Sequence, residues 1–249
     1  MSETLQPVKS AARVLQILEC FDAEQQPLSV AQLADHHGWP HSSTSVLMRS
    51  LVSLGYLQFD RGSRAYFPTM RVALLGDWLQ AASLSAPALS TLLQRLNDET
   101  GESIILATQI GLHAQYLRVL QGKHTIRMYV QNGTTRPLLT SGIGRALISH
   151  LSEVDIAALV RKHNLSTDSS QHVVVAELLT QLQNEKRLGY SISLNKFSPH
   201  SGVISCSLPF DGTQRPLAVG IAGLSQRLVS EEENYVEALK RIIRASTGV

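Results

Sequence analysis

Hydrophobic residues recur at helical spacing in the first part of the chain, and polar clusters separate these runs. The spacing predicts an amphipathic helix over Ser10–Phe21. Ser29–Gln32 has the pattern of a capping box, in which the serine and glutamine side chains bond the free amides at a helix start. The short helix that follows ends at Gly38–Pro40, and a longer helix begins in a polar cluster and covers His41–Leu54. A short helix, a tight turn and a longer helix predict a helix-turn-helix.

Two short aromatic-rich runs, Tyr56–Phe59 and Ala65–Pro68, come next and predict a β-hairpin. Their connection, Asp60–Arg64, is basic and contains a glycine. Because two such strands are not stable alone in water, we expect them to pack against the three helices. A hairpin in this position is the wing of a winged helix. A helical run over Arg71–Ala82 then leads to a joint at Ser83–Pro87.

The remainder of the chain alternates more slowly between strand-like and helical runs. The predicted helices are Pro87–Thr100, Ser141–Leu151, Glu153–His163, Val173–Leu188 and Glu231–Ala245. The predicted strands are Ser103–Thr108, His113–Leu120, Thr125–Val130, Tyr190–Leu194, Val203–Leu208 and Leu217–Ile221. Consecutive hairpin-like strands mixed with helices predict an α+β domain with an antiparallel sheet.

Composition fits a globular protein of two domains, because 43% of the 249 residues are hydrophobic and 17% are charged. No apolar run reaches the roughly 18 residues that a membrane span needs. The N-terminus lacks the basic start and apolar core of a signal peptide, so we expect a cytoplasmic protein without a membrane partner. Between Gly38 and Arg71 there are four arginines against Asp60 alone. This local surplus suits phosphate groups, although a solvated surface has the same pattern.

Metal and disulfide chemistry find little support in the sequence. The two cysteines, Cys20 and Cys206, are far apart and lack the spacing of a zinc site, so we expect two reduced, buried thiols. His36, His37 and His41 are close in sequence, and we expect neither a cysteine nor a carboxylate to complete a metal set with them. The sequence therefore predicts no metal and no cofactor.

The third helix has two faces of different character. Thr44, Leu47, Met48 and Leu51 share the face that we expect to pack on the other helices. The opposite face should lie in the major groove of DNA, with the N-terminal residues at the base edges. Arg49 can bond guanine through two hydrogen bonds, Val46 can meet a thymine methyl group, and the serines suit phosphates or base edges. The alternative is that the serines only cap and solvate the helix.

Two arginines at the wing tip, Arg61 and Arg64, suit contacts with phosphates or the minor groove, unless they are plain exposed arginines. The candidate DNA-binding residues are therefore His41, Ser42, Ser43, Ser45, Val46, Arg49, Arg61 and Arg64.

Six sequence blocks, in this order, resemble blocks of the IclR family of bacterial transcription regulators. They are LSVAQLADHHGWPHSSTSVLMRSLVSLGYL, AYFPTMRVALLG, RPLLTSGIGRALISHL, LGYSIS, GVISCSLPF and AVGIAGLSQRL. The resemblance implies a winged helix-turn-helix DNA-binding domain over 1–69, a linker helix over 70–85 and a GAF/profilin-like effector-binding domain over 86–249. It also implies a homodimer or a dimer of dimers on double-stranded operator DNA, which represses or activates catabolic genes in response to small organic acids or aromatics. The family often has His-Arg where this chain has Ser45-Val46, so a borrowed operator sequence does not apply.

The resemblance also implies which residues line the effector cavity: Ser141, Gly142, Ile143, Ser193, Leu194, Ser205, Gly220 and Ala222. Two glycines open a helix at Ser141–Arg145, where free amides suit a carboxylate, although a capping turn is the usual explanation of such a pattern. Relatives that bind small oxo-acids tend to have an acid at the Ser193/Leu194 position and serines at those of Gly220 and Ala222. Smaller, less polar residues here predict a roomier cavity for an aromatic or extended acid, unless Gly220 and Ala222 only pack within the sheet.

Two other classes of protein remain as alternatives. An enzyme is disfavoured, because the chain has no GxSxG, HExxH, P-loop or dinucleotide-binding motif. Ser201, His200 and Asp211 are close in sequence, but such density of polar residues arises by chance. A hydrolase with an effector-like domain and an architectural DNA-binding protein without a ligand are the rivals. A ligand-dependent change in DNA affinity separates all three.

Overall fold

The computed structural model describes residues 8–75, 86–210 and 215–247. The chain divides into two compact units, Met1–Ala81 and Ala82–Val249. Of the linker helix expected over 70–85, the described part is helical at Met70–Leu74 (α4), and residues 76–85 lie outside the described ranges, as does most of the expected joint at 83–87.

The first unit contains α1 (Lys9–Glu24), α2 (Val30–His37) and α3 (His41–Ser53) in its described part. The predicted capping box at the start of α2 is confirmed. Ser29 Oγ accepts a hydrogen bond from Gln32 N over 3.3 Å, and Gln32 Oε1 accepts one from Ser29 N over 2.9 Å. The helix ends at Gly38, whose φ of +65° is a left-handed conformation that glycine adopts without strain.

The wing is formed by β1 (Leu57–Asp60) and β2 (Ala65–Pro68), which pair antiparallel. An isolated bridge between Leu28 and Tyr66 joins this hairpin to the segment before α2. The hairpin shares one core with the helices, built from Ile17, Phe21, Leu33, Met48, Leu51, Leu57 and Tyr66. Because these buried residues come from all of the elements, the three helices and the hairpin fold as one winged helix.

In the described ranges of the second unit, the sheet has the strand order β5-β4-β3-β8-β7-β6, and all neighbours are antiparallel. Its strands are β3 (Ser103–Ile110), β4 (His113–Leu120), β5 (Thr135–Pro137), β6 (Ser191–Leu194), β7 (Ser201–Ser207) and β8 (Leu217–Leu224). Its helices are α5 (Ala86–Thr100), α6 (Gly142–Ile148), α7 (Glu153–Ser166), α8 (Val175–Leu188), α9 (Ser225–Ser230) and α10 (Glu232–Thr247), with a 3-10 turn at Ser169–Gln171. The α+β prediction is confirmed.

Helices cover both faces of this sheet, so its central strands are buried on both sides. On β8, Ala218 and Ala222 belong to the core that includes residues of α6, α7 and α8. Val219 and Ile221 point the other way, into the core that includes residues of α5 and α10. This alternation follows from the pleat of a strand, in which successive side chains point to opposite faces. Among the described helices, none is long and apolar enough to span a lipid bilayer.

The strand predicted at Thr125–Val130 is wrong, and β5 occupies the sheet edge beside β4 instead. Side chains bond the carbonyls of the predicted segment: Ser103 Oγ donates to Met128 O over 2.7 Å, and Gln121 Nε2 donates to Val130 O over 2.5 Å. These two carbonyls therefore have side-chain partners in place of a neighbouring strand. The short helix α9 was not predicted.

Candidate DNA interface and effector cavity

The two faces of α3 differ in burial as the sequence predicts. Thr44, Met48 and Leu51 are buried, and Val46 on the opposite side is 53% exposed. His41, Ser42 and Arg49 are exposed as well, whereas Ser43 and Ser45 are half-buried. The helix therefore presents an exposed surface with one cation, Arg49, and one apolar side chain, Val46, and this is the surface that can enter a groove.

Ser43 differs from the other candidates on α3, because partners within the protein already engage it. Its hydroxyl donates to Pro40 O over 3.0 Å and accepts from Arg13 Nη1 over 3.3 Å. Arg49 Nε donates to Ser45 O over 3.4 Å, so this arginine lies along its own helix. His41 Nε2 is 3.6 Å from Asp35 Oδ1 at the exposed surface.

The wing tip is a tight turn held by Asp60. Its carboxylate accepts hydrogen bonds from the amides of Gly62 and Ser63 and from the Ser63 hydroxyl, and these bonds lower the pKa of Asp60. Arg61 and Arg64 are exposed on this turn, and Arg64 has a left-handed φ of +54°. The Asp60 carboxylate is thus hydrogen-bonded within the turn, and the two arginines of the turn are exposed.

A cavity lies on the α6 side of the sheet, and it brings together four of the eight predicted effector residues: Ser141, Ile143, Ser193 and Ala222. The rest of its wall includes Tyr116, Met128, Arg136, Lys196 and Phe197. Its free volume is about 30 Å³, enough for a water molecule. The expected roomy cavity is therefore closed in this structure, and a larger ligand enters only when side chains at its wall move.

The wall combines cations with aromatic rings. The guanidinium carbon of Arg136 lies 5.4 Å from the ring centre of Phe197 and 5.8 Å from that of Tyr116. Burial raises the pKa of the Tyr116 hydroxyl, so this group stays protonated at neutral pH. Lys196 adds a second cation, on the exposed turn after β6. A site of this kind suits an anion attached to an apolar body.

Sequence reasoning missed Arg136, Lys196 and Phe197. A signal for the first was present, because Arg136 opens the block RPLLTSGIGRALISHL. Lys196 and Phe197 follow directly after the block that suggested Ser193 and Leu194.

The other four predicted effector residues do not line this cavity. Leu194 lines a neighbouring cleft of about 390 Å³, and Ser205 is fully buried with its hydroxyl 3.5 Å from Ser191 O. At Gly220, an added Cβ would lie 2.8 Å from Val203 Cγ2, so this glycine makes room for core side chains. A Cβ at Gly142 would similarly lie 3.1 Å from that of Ser193.

The start of α6 is capped from within the chain. Ser141 Oγ accepts a hydrogen bond from Gly144 N over 3.1 Å, and Arg145 N donates to Ser141 O over 3.0 Å. A Cβ on Gly144 would lie 2.1 Å from Leu138 O, so only glycine fits there. Capping and close packing therefore account for this glycine pattern without a ligand.

The expectation that no cysteine completes the histidine cluster is wrong. Cys20 Sγ lies within 4.8 Å of a ring nitrogen of His36 and of His37. These residues come from two helices, α1 and α2, so spacing along the chain gave no sign of their contact.

A winged helix together with a separate sheet domain that holds a cation-lined cavity is the architecture of a ligand-responsive DNA-binding regulator. Comparison with known proteins agrees. The IclR helix-turn-helix domain matches residues 10–61, and the bacterial transcriptional regulator IclR C-terminal domain matches residues 80–246. The chain belongs to the IclR family of bacterial transcription regulators.

Similar proteins match along most of their length. The HTH-type transcriptional regulator KipR of Bacillus subtilis is 24% identical over 92% of this chain and 91% of its own. The transcriptional repressor IclR of Escherichia coli is 24% identical over 97% of this chain and 89% of its own. The crystal structure of the Thermotoga maritima IclR superposes with a TM-score of 0.63 at 16% identity, over 96% of this chain and 97% of that one.

These relatives define the general activity. Regulators of the IclR family bind operator DNA and small-molecule effectors. The family is not enzymatic, so the hydrolase alternative is excluded.

Proposed function

We propose that this regulator senses an organic acid with an aromatic or extended carbon skeleton and controls a catabolic operon in response. The observation that carries the proposal is Arg136, which lies between the rings of Tyr116 and Phe197 at the cavity. The name of one relative supports a catabolic target: the acetate operon repressor of Salmonella typhimurium is 25% identical over 97% of this chain and 89% of its own.

Arg136 gives the site its preference for a carboxylate. Removing a carboxylate from water is costly unless a cation and hydrogen bonds replace the water. An arginine matches the shape of a carboxylate and donates two parallel hydrogen bonds to it. We assign the carboxylate to Arg136, with Lys196 as the second cation, because both side chains lie in the cavity wall.

The apolar part of the wall favours a carbon skeleton larger than two or three atoms. Ile105, Met128, Val203 and Ala222 line the cavity beyond the cations. Because the free volume is only about 30 Å³, entry requires wall side chains to move, and Phe197, which is 42% exposed, is a wall residue with room to do so. Ligand binding therefore favours a second arrangement of the turn that carries Phe197 and Lys196. An effector that binds one of two conformations more tightly shifts the protein toward that conformation.

The DNA side of the proposal uses the surface of the first unit. In this proposal, residues 1–69 bind the operator, residues 86–249 bind the effector, and residues 70–85 link the two domains. On α3, the exposed surface around Arg49 reads bases, and Arg61 and Arg64 contact phosphates or the minor groove. Two copies act together in the cytoplasm, because one winged helix reads only a few base pairs.

Calorimetry and thermal shift with a panel of acids test the effector proposal. The panel contains aromatic acids, longer aliphatic acids, glyoxylate and pyruvate, and the proteins are the wild type, Arg136→Gln and Arg161→Gln. We expect an aromatic or extended acid to bind, Arg136→Gln to weaken it at least tenfold, and Arg161→Gln, an exposed change on α7, to leave it unchanged. Tight binding of glyoxylate or pyruvate alone contradicts the proposal, and so does unchanged affinity in Arg136→Gln.

A further inference from the structure

Three residues from two helices of the winged helix meet in space. Cys20 lies on α1 and is only 6% exposed, and His36 and His37 are the last two residues of α2. The cysteine sulfur and one ring nitrogen of each histidine all lie within 4.8 Å of one another. We propose that this cluster is a binding site for a transition-metal cation of the zinc type, independent of the effector cavity.

The ligand set decides the class of metal. One thiolate and two imidazoles are ligands that Zn²⁺ prefers, and three protein ligands leave the fourth tetrahedral position open to water. Ligand atoms of a tetrahedral zinc are separated by about 3.3–3.8 Å, given the usual bond lengths. Rotations of the three side chains that move each ligand atom by about 1 Å bring the cluster to that geometry. Hard cations such as Mg²⁺ and Ca²⁺ require oxygen ligands and are excluded by the same set.

The histidines are placed to accept a cation. Nε2 of His37 is buried and has no hydrogen-bond partner within the described ranges. A buried nitrogen without a partner is unfavourable, and a bond from Nε2 to a metal would relieve that cost. Both histidines end α2, where the helix dipole carries partial negative charge and stabilises a cation. Glu24, one turn after Cys20 on α1, adds a negative charge close to the thiol.

Binding exchanges a proton for the metal. The Cys20 thiol releases its proton to solvent, and the resulting thiolate donates an electron pair to the cation, while each imidazole uses a neutral ring nitrogen. No oxidation or reduction takes place. The buried position of Cys20 excludes water from one side of the site, which strengthens the bond between thiolate and metal.

The same residues are connected to the DNA-reading helix. The His37 ring is stacked on Trp39, with the ring centres 4.2 Å apart, and the guanidinium of Arg13 lies 5.0 Å from the Trp39 ring centre. Arg13 in turn donates to Ser43 Oγ in the first turn of α3. Rotation of His37 toward a metal changes this series of contacts, which ends at the N-terminal turn of the recognition helix. The metal is thus a second input to DNA binding.

Cobalt titration of the full-length, untagged and reduced protein tests the site, because Co²⁺ replaces Zn²⁺ and is visible in absorption. We expect one equivalent to give a thiolate-to-cobalt charge-transfer band and the visible spectrum of a tetrahedral ion, both lost when Zn²⁺ displaces the cobalt. Cys20→Ala abolishes the charge-transfer band. His36→Asn, an exposed change that preserves the core, weakens binding at least tenfold, because it removes one of the three protein ligands and even residues that only orient such ligands have effects of about that size.

Matched controls come from the second unit. Cys206→Ala removes the other buried cysteine and His172→Asn removes an exposed histidine, and neither is expected to change the cobalt spectrum or affinity. Circular dichroism verifies that each variant is folded. An octahedral spectrum without charge transfer overturns the proposal, and so does a spectrum that survives in folded Cys20→Ala or an affinity that is unchanged in His36→Asn.

Discussion

Arg145 donates a hydrogen bond from Nε to Glu185 Oε1 over 2.8 Å, and the two side chains are only 4% and 11% exposed. The remaining groups of the pair are also occupied. Arg145 donates to Thr140 O over 3.1 Å and to Ile192 O over 2.8 Å, and Ser191 Oγ donates to Glu185 Oε2 over 2.8 Å. This ion pair therefore joins α6, α8 and β6.

Removing one partner leaves the other charge buried and unpaired, so Arg145→Met should lower the free energy of unfolding by about 3–5 kcal/mol. Urea unfolding measures the change. Arg241→Met is the matched control, because its pair with Glu99 is exposed and should contribute little. If the two substitutions lower the free energy of unfolding equally, burial does not determine how much the Arg145 ion pair contributes to stability.

Arg49→Ala should weaken binding to a specific operator by about 1–3 kcal/mol and change the preferred base, because it removes a bidentate contact. Fluorescence anisotropy with a set of operator variants measures both effects. Arg61→Ala and Arg64→Ala should weaken specific and nonspecific binding alike. Each should also reduce the slope of the logarithm of the binding constant against the logarithm of the salt concentration by about one, because one fewer phosphate is neutralised. Unchanged affinity and preference in Arg49→Ala would mean that another surface reads the bases.

Two copies of the protein should occupy half-sites whose centres are about 34 Å apart, or a multiple of that distance. The reason is geometric: two recognition helices related by symmetry face the same side of DNA only at whole turns of the double helix. Footprinting should show a pseudo-palindrome or repeated half-sites, and light scattering should give a dimer or tetramer. A protein that is monomeric both in solution and on its operator would refute this expectation.

Ala222→Leu should abolish the effect of the ligand on DNA binding while DNA binding itself remains. The larger side chain fills the cavity wall beside Ile143, and overpacking should cost about 1–3 kcal/mol of stability. Gly220→Leu is a different experiment, because its Cβ meets Val203 Cγ2 at 2.8 Å and disturbs the core directly. Calorimetry decides: unchanged ligand affinity in folded Ala222→Leu would move the binding site elsewhere.

The stability of the second unit should fall at alkaline pH because of Cys206. Burial raises the pKa of this thiol from its ordinary value of 9.0 to about 12. Between these values the unfolded chain releases a proton that the folded chain retains, so the free energy of unfolding decreases as the pH rises. By pH 10 the loss is about 1.4 kcal/mol relative to pH 7. Urea unfolding should show a shallower pH dependence for Cys206→Ala, and parallel curves would contradict the assignment.

Local signals made the first unit predictable from the sequence. Its helix boundaries depend on neighbours in the chain: the Ser29–Gln32 capping box and the left-handed Gly38 act within one turn. Burial on α3 follows helical period, so Met48 and Val46 fall on opposite faces as expected. Short-range rules suffice where the determining contacts are themselves short-range.

The errors arose where distant side chains determine the local structure. Thr125–Val130 has the composition of a strand, but Gln121 and Ser103 satisfy its carbonyls. Cys20 meets the histidines of α2 only after α1 and α2 pack together. In each case a contacting residue is distant in sequence, and the local sequence pattern does not indicate the contact.

The pleat of β8 has an evolutionary consequence. Ala222 faces the effector cavity, whereas its neighbour Ile221 faces the core beneath α5 and α10. One residue can therefore mutate under selection for a new chemical signal while the adjacent residue is held constant by selection for folding. After gene duplication, one copy could come to sense a different compound through changes at the few alternate residues of this strand that share the face of Ala222. The scaffold would be inherited intact.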